Sequence, residues 1–258
     1  MNTLQLQLFG MNNMVTADSF GGNEGRVRTS CLLTSTYFGP VQWYQKLNRF
    51  EHVWVEGMDH FQKQTFRNRC VIASPGGPLA LTVPVVHDEP KILMRDLRIS
   101  DHGQWRRLHW NALQTAYGES PFFEYYADDL HPFFEKKWEF LLDFNMEIIR
   151  LMCQWLDIHP TLHITESYQG EGARGKHPPQ PSQREGVKQE QGARDYSAEA
   201  VDYVADFREV IRPKHPLPDA DFIPKPYYQV YQSKYGFLPN LSILDLLFNE
   251  GNESIFFL

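Results

Sequence analysis

The sequence has no closely spaced cysteine pair, no long apolar run and no excess of positive charge, and each absence removes a class of protein. Cys31, Cys70 and Cys153 lie far apart with no CxxC between them, which suits free thiols in a reducing cytoplasm and argues against a disulfide scaffold. No segment approaches the ~20 apolar residues that a bilayer-spanning helix needs, so no membrane span is expected. Residues 1–25, MNTLQLQLFGMNNMVTADSFGGNEG, offer neither a cationic n-region nor a continuous apolar core, and read as neither signal peptide nor anchor. With 25 Lys and Arg against 32 Asp and Glu, the chain lacks the basic face that coats nucleic acid, and no nucleic-acid partner is expected. The motifs GxxxxGK[ST], GxSxG and HExxH are also missing.

What is present is a chain able to bury a core: 42% of its 258 residues are hydrophobic and 14% aromatic, too many for a disordered protein. The run Cys31-Leu32-Leu33 reads as a buried strand, and Gly39-Pro40 breaks it. Pro40 then opens a short helix carrying Trp43, Tyr44 and Leu47, and HVWVE forms a second strand. Strand, helix and strand within about thirty residues make a βαβ unit. CVIASPGGPLALTVPVV reads as a hairpin turning at Pro75–Pro78, with Pro84 placing its second strand at an edge. Two helical stripes follow. One runs through Trp105, Leu108, His109, Ala112, Leu113 and Ala116. The other spans about Asp128 to Leu156 as one helix of roughly 40 Å, with Asn145 a polar residue inside its apolar face.

The fold class is therefore α/β, an N-terminal βαβ unit with a β-hairpin followed by a mostly helical region that includes one long amphipathic helix. Its expected parts are a poorly ordered leader at 1–25, the α/β core at 26–160, a disordered insertion at 170–195, and C-terminal helices and a strand packing on the core at 196–258. The insertion is assigned because GEGARGKHPPQPSQREGVKQEQGAR has one large apolar residue, Val187. After it, YSAEAVDYVADFREVI reads as an amphipathic helix and YYQVY alternates like a strand. Ser242 and Gly251 bracket a terminal helix.

Few stretches carry chemistry. GEGARG formally matches GxGxxG, but KHPPQP follows it where a dinucleotide site needs a helix. His159 and His163 are four apart with Pro160 between them, which breaks a helical metal pair, so no metal site is expected. His109, on an apolar helix face, reads first as a core histidine and second as a general base facing a pocket. The basic stretch HFQKQTFRNRC is the main candidate. As a strand it would set Lys63, Thr65, Arg67 and Arg69 on one side, where the cations would either pair with the chain's own carboxylates or grip an anion.

The blocks TSTYFGPVQWYQKL, HVWVE, FQKQTFRNRC, LALTVPV, WRRLHWNALQTAYGESPFFEYY and GFLPNLSILDLLFNEG resemble, in this order, the bacterial WbqC-like family, over about residues 30–160 and 225–251. The resemblance implies a cytoplasmic role in building surface polysaccharide of the O-antigen type. Lys63, Arg67, Asn68 and Arg69 are the positions that match its basic block. The expected activity is transfer from an anionic partner, a nucleotide-linked sugar or an activated acyl donor, held by Tyr37, Lys63, Arg67, Asn68 and Arg69 beside the first strand. His109 and Glu124 are the candidate acid–base residues. The rival reading is a non-catalytic glycan- or protein-binding assembly factor with an exposed aromatic patch. Cofactor, substrate identity and oligomeric state are left open.

Overall fold

A computed structural model of the chain describes residues 30–86, 91–169 and 205–258. The leader at 1–25 and the insertion at 170–195, GEGARG included, lie outside the described residues.

Ser30–Thr34 forms strand β1, and all five of its residues are buried. A strand covered on both faces needs a continuous apolar run rather than alternation, which is what Cys31-Leu32-Leu33 supplies. Helix α1, Val41–Arg49, starts after Pro40 and buries Trp43, Tyr44 and Leu47. Strand β2, His52–Glu56, then lies parallel to β1, with Ser30 opposite His52 and Thr34 opposite Glu56. The βαβ unit is as expected. Strands β3, Arg69–Ser74, and β4, Gly77–Thr82, form the antiparallel hairpin. Its turn is Pro75-Gly76, and Gly77 at φ 103° takes a conformation that a side chain would strain.

Helix α2, Trp105–Tyr117, buries Trp105, His109, Leu113 and Ala116, a narrower stripe than the sequence indicates, since Leu108 is 56% exposed. The expected long helix is broken. It becomes α3, Phe123–Leu130, the single turn α4, Pro132–Glu135, and the amphipathic helix α5, Leu141–Trp155. Between α4 and α5 the backbone is extended because it pairs elsewhere. Ile99 N–H donates to Glu139 C=O, Leu141 N–H donates to Leu97 C=O, and Arg98 bridges Phe140. Phe134, Leu141 and Leu142 are buried on both sides of the break, so the apolar spacing runs on through it.

Two further strands complete the sheet. β5, Thr161–Ile164, pairs parallel with β2, and β6, Ala205–Asp206, pairs parallel with β1, giving the order β5-β2-β1-β6. β6 and the turn after it occupy the described end of the stretch read as an amphipathic helix, whose residues 196–204 are outside the described residues. From β1 the chain steps to β2 and β5 on one side, then returns to β6 on the other. The carboxyl ends of β1 and β6 therefore form the point where strand order reverses, the place in open parallel sheets where ligands bind.

The C-terminal block locks the loop after β1. Helix α6, Gln232–Tyr235, is one turn, and helix α7, Ile243–Glu250, is capped by Ser242, whose hydroxyl accepts from Leu244 N–H. Leu241 C=O and Asn240 Oδ1 accept from Val41 and Gln42 N–H, while Gly39 C=O accepts from Ile243 N–H. YYQVY is not a strand. Its alternating burial is real, but Gln229 bonds both the N–H and the C=O of Leu238 through its side chain, and Tyr228 N–H donates to Glu250. Inside this block Asp245 is fully buried and accepts from Tyr117 Oη, Tyr227 Oη and Gln229 Nε2 at 2.7–2.9 Å.

Candidate functional site at the carboxyl edge of the parallel sheet

The strands of the parallel sheet end in polar residues that are nonetheless buried. Thr34, Ser35 and Thr36 leave β1, Glu56 ends β2, Thr165 follows β5, and Arg208 follows β6, all at most 9% exposed. Glu56 is the hub. Its Oε1 accepts from Met58 N–H at 2.9 Å and the Thr165 hydroxyl at 2.5 Å, and its Oε2 from Gln169 N–H at 3.2 Å and Arg208 Nη1 at 3.1 Å. Arg208 also grips Asp206 through Nε and Nη2, at 2.7–3.1 Å. Burial raises the Glu56 carboxyl above the usual range, against the hydrogen bonds it accepts.

Arg67 faces the same edge. The expected basic strand is instead a turn from Lys63 to Asn68, with Gln64 in the left-handed region at φ 61°, and pairing begins only at Arg69. A turn does not alternate sides, so the four residues Lys63, Thr65, Arg67 and Arg69 do not share a face. Arg67 points inward, 4% exposed, and its Nη2 donates to Asp59 Oδ2. Asn145 on α5 ties this turn to β1, donating from Nδ2 to Arg67 C=O at 2.7 Å and the Ser35 hydroxyl at 3.3 Å. Burial raises the Asp59 carboxyl, opposed first by Arg67 and then by Arg208. Four buried polar atoms here have no partner among the described residues: Thr36 Oγ1, Asp59 Oδ1, Arg67 Nε and Asn145 Oδ1. Such atoms are rare in folded proteins because each forfeits its hydration without replacement.

The residues expected from the sequence divide. Tyr37 and His109 meet, the phenol lying 2.8 Å from His109 Nδ1, both buried beside the β1 loop. Burial pushes the imidazole down to about 4, against a backbone hydrogen bond to Thr82, so it is neutral at pH 7. Asn68 and Arg69 are turned to the hairpin, bonding Val83 C=O at 2.8 Å and the Thr82 hydroxyl at 3.0 Å. Lys63 and Glu124 are exposed and take no part in these hydrogen bonds. The N-terminus of α1, which would have offered donors to an anion, is already covered by Leu241 and Asn240. Glu56, Asp59 and Arg208 were missed in the sequence. An acid closing the apolar run of HVWVE was a usable signal for Glu56. Asp59 and Arg208 carried none, since Glu56 and Arg208 are 152 positions apart.

Two other chemistries have little support here. Burial pushes the Cys31 and Cys153 thiols up to about 12 and Cys70 higher still, which makes all three poor nucleophiles. Among the described residues no group of three or more His, Cys, Asp or Glu could hold a metal ion, and no helix is long and apolar enough to cross a membrane.

These features define an α/β protein with a parallel sheet whose buried charges collect at its carboxyl edge. The chain belongs to the WbqC-like protein family, whose model matches residues 35–256. It is also similar to the uncharacterized protein Rv1507c of Mycobacterium tuberculosis (strain ATCC 25618 / H37Rv), with 30% identity over 202 residues that cover 75% of this chain and 81% of that protein. No solved structure matches it.

Proposed function

We propose that the chain is a cytoplasmic transferase of surface-polysaccharide biosynthesis, acting on an anionic nucleotide-linked sugar or activated acyl donor at the carboxyl ends of β1 and β6. The observation that carries this reading is the set of unpartnered buried atoms at that edge, Asp59 Oδ1 and Arg67 Nε above all. A buried charge pair with open valences is costly as a structural device and useful as a binding one. Arg67 and Arg208 are the groups to hold the donor's charge and stabilise what develops as the bond breaks. Glu56, Asp59 and Asp206 outnumber those two guanidinium groups, so the negative charge that develops on the departing group is held best once one carboxyl carries a proton, and Asp59 gains one as the acceptor reacts. An acceptor hydroxyl or amine loses its proton to the Asp59 carboxylate at Oδ1 and attacks the anomeric or acyl carbon of the donor. The donor's bond to the nucleotide phosphate or to the thiol breaks, so that the nucleotide or thiolate leaves with the electron pair beside Arg67 and Arg208. His109 then serves as a positioning residue that fixes the Tyr37 phenol at the β1 loop.

A thermal-shift screen of the purified protein against nucleotide sugars and acyl-CoAs tests the reading. A true ligand at a hundred times its dissociation constant stabilises by about 2.7 kcal/mol, and Asp59→Asn should remove turnover while the donor still binds. If no compound of either class shifts the wild-type protein, the proposal fails. The rival assembly-factor reading draws on exposed apolar side chains near the C-terminus, Ile223 at 76%, Tyr228 at 54% and Phe256 at 71%. It would be favoured by glycan or protein capture that survives Asp59→Asn and Arg67→Ala alike.

A further inference from the structure

Helix α2 begins against the usual electrostatics. A helix N-terminus carries partial positive charge and prefers acids in its first turn. Here the first turn holds no acid, the N-cap Gln104 makes no side-chain capping bond, and the second and third residues are Arg106 and Arg107. Arg106 is compensated in part, donating from Nη1 to Asp101 at 2.6 Å with its guanidinium 4.7 Å from the Trp105 ring. Arg107 is exposed and makes no ion pair among the described residues. Two cations stacked on the positive end of a helix lower the stability of the free protein and raise its attraction for an anion.

The same two arginines line a cavity of 330 Å³, at the lower end of the roughly 300–1,000 Å³ typical of small-molecule sites. Its other walls are aromatic. Trp110 lies 4.6 Å from His131 and 5.7 Å from Phe134, ring centre to ring centre, and Phe134 is backed by Phe38 at 6.3 Å. Glu135 stands at the rim, 68% exposed at its side chain, and supplies an acceptor.

We propose that this cavity is a second ligand site, for a nucleotide: the phosphate at Arg106 and Arg107, the base against Trp110, and the sugar hydroxyls toward Glu135. Each part follows from the chemistry of the lining. Guanidinium groups match phosphate oxygens, an indole face takes any planar base, and a carboxylate accepts from a sugar hydroxyl. Arginines alone would suit inorganic phosphate, and the aromatic wall alone a neutral ring. The site shares no residue with the carboxyl-edge cluster and does not depend on the reaction proposed there.

Isothermal titration with uridine 5′-monophosphate and adenosine 5′-monophosphate tests it, with uridine and inorganic phosphate as the partial ligands. The wild-type protein should bind one or both monophosphates, and bind uridine and phosphate at least tenfold more weakly, about 1.4 kcal/mol. Arg107→Glu lies on the surface and should leave the melting temperature unchanged or slightly raised, as an acid suits a helix N-terminus, while weakening nucleotide binding at least tenfold; Trp110→Leu should weaken it as well. Absence of binding by the wild-type protein overturns the proposal. So does unchanged affinity in Arg107→Glu, and so does loss of binding in Arg208→Ala with Arg107→Glu unaffected, which would place the nucleotide at the sheet edge.

Discussion

Two buried acids in this molecule are treated in opposite ways. Asp245 sits among neutral donors, two phenols and an amide, and both of its oxygens are bonded. Asp59 sits between two guanidinium groups and keeps one oxygen without a partner among the described residues. Burial raises both carboxyls, yet three hydrogen bonds oppose the shift at Asp245 and charge opposes it at Asp59. A fully bonded polar group in a low dielectric makes a rigid joint, and Asp245 ties α7 to α2 through Tyr117, which in turn accepts from Ala73 N–H of β3. A partly bonded one keeps a free valence at a cost in stability. The first is how this fold is held, and the second is where it has room to act.

The comparison breaks most visibly at Asp245. Asp245→Ala leaves the Tyr117 and Tyr227 hydroxyl protons and one of the two Gln229 amide protons buried without an acceptor, at roughly 1–3 kcal/mol each, so a loss of about 5 kcal/mol should appear in urea denaturation. Asp245→Asn, which retains one accepting oxygen, should lose about half as much. Arg67→Ala comes next. It strands Asp59 and should cost about 4 kcal/mol, whereas Arg67→Met combined with Asp59→Asn should recover most of that loss. The restored fold should not restore donor binding. Recovery of binding in the double variant would reduce the pair to a structural tie.

How much of this could be read from the sequence depends on how local each cause is. β1, α1 and β2 were legible because an apolar run, Pro40 and HVWVE each act within a few residues, and α7 because Ser242 and Gly251 mark its ends. The break before Leu141 was not, because the pairing of Glu139 and Leu141 with Leu97 and Ile99 is tertiary and leaves the helical spacing intact. β6 has two residues, too few for any pattern, and only its place beside β1 makes it a strand. The site follows the same rule. Arg67 stood out by charge, but its inward direction is set by a turn through Gln64, and the meeting of Glu56, Asp59 and Arg208 exists only once the sheet has formed.

His109 sharpens the contrast through pH, with the opposite sign to the two acids. Its folded value of about 4 lies below the ordinary 6.5, so the unfolded chain binds the extra proton between them. Stability from this group is complete above pH 6.5 and falls as pH drops toward 4, by about 3 kcal/mol in all. Glu56, Asp59 and Asp245 have raised values, so they bind protons first in the folded state and their contribution falls as pH rises from the ordinary carboxylate range through those raised values. Urea denaturation across pH 4–7 should therefore show His109→Gln losing the acid-side decline and Asp245→Asn losing part of the opposing one. An acid-side decline unchanged in His109→Gln would mean that the imidazole is not held neutral against Tyr37.

Lys63 gives the smallest effect and the most discriminating one. It belongs to the same basic block as Arg67, four residues away, and carries the same charge, but the turn leaves its side chain exposed where that of Arg67 is buried. If charge in the block is what binds the donor, Lys63→Ala should weaken binding nearly as much as Arg67→Ala. If buried placement at the sheet edge is what matters, Lys63→Ala should leave donor affinity unchanged and stability within about 0.5 kcal/mol, as for other exposed substitutions. The second outcome is expected, because an exposed ammonium in water is screened and mobile, while Arg67 is held against β1 by Asn145 and faces Asp59 with little solvent between them.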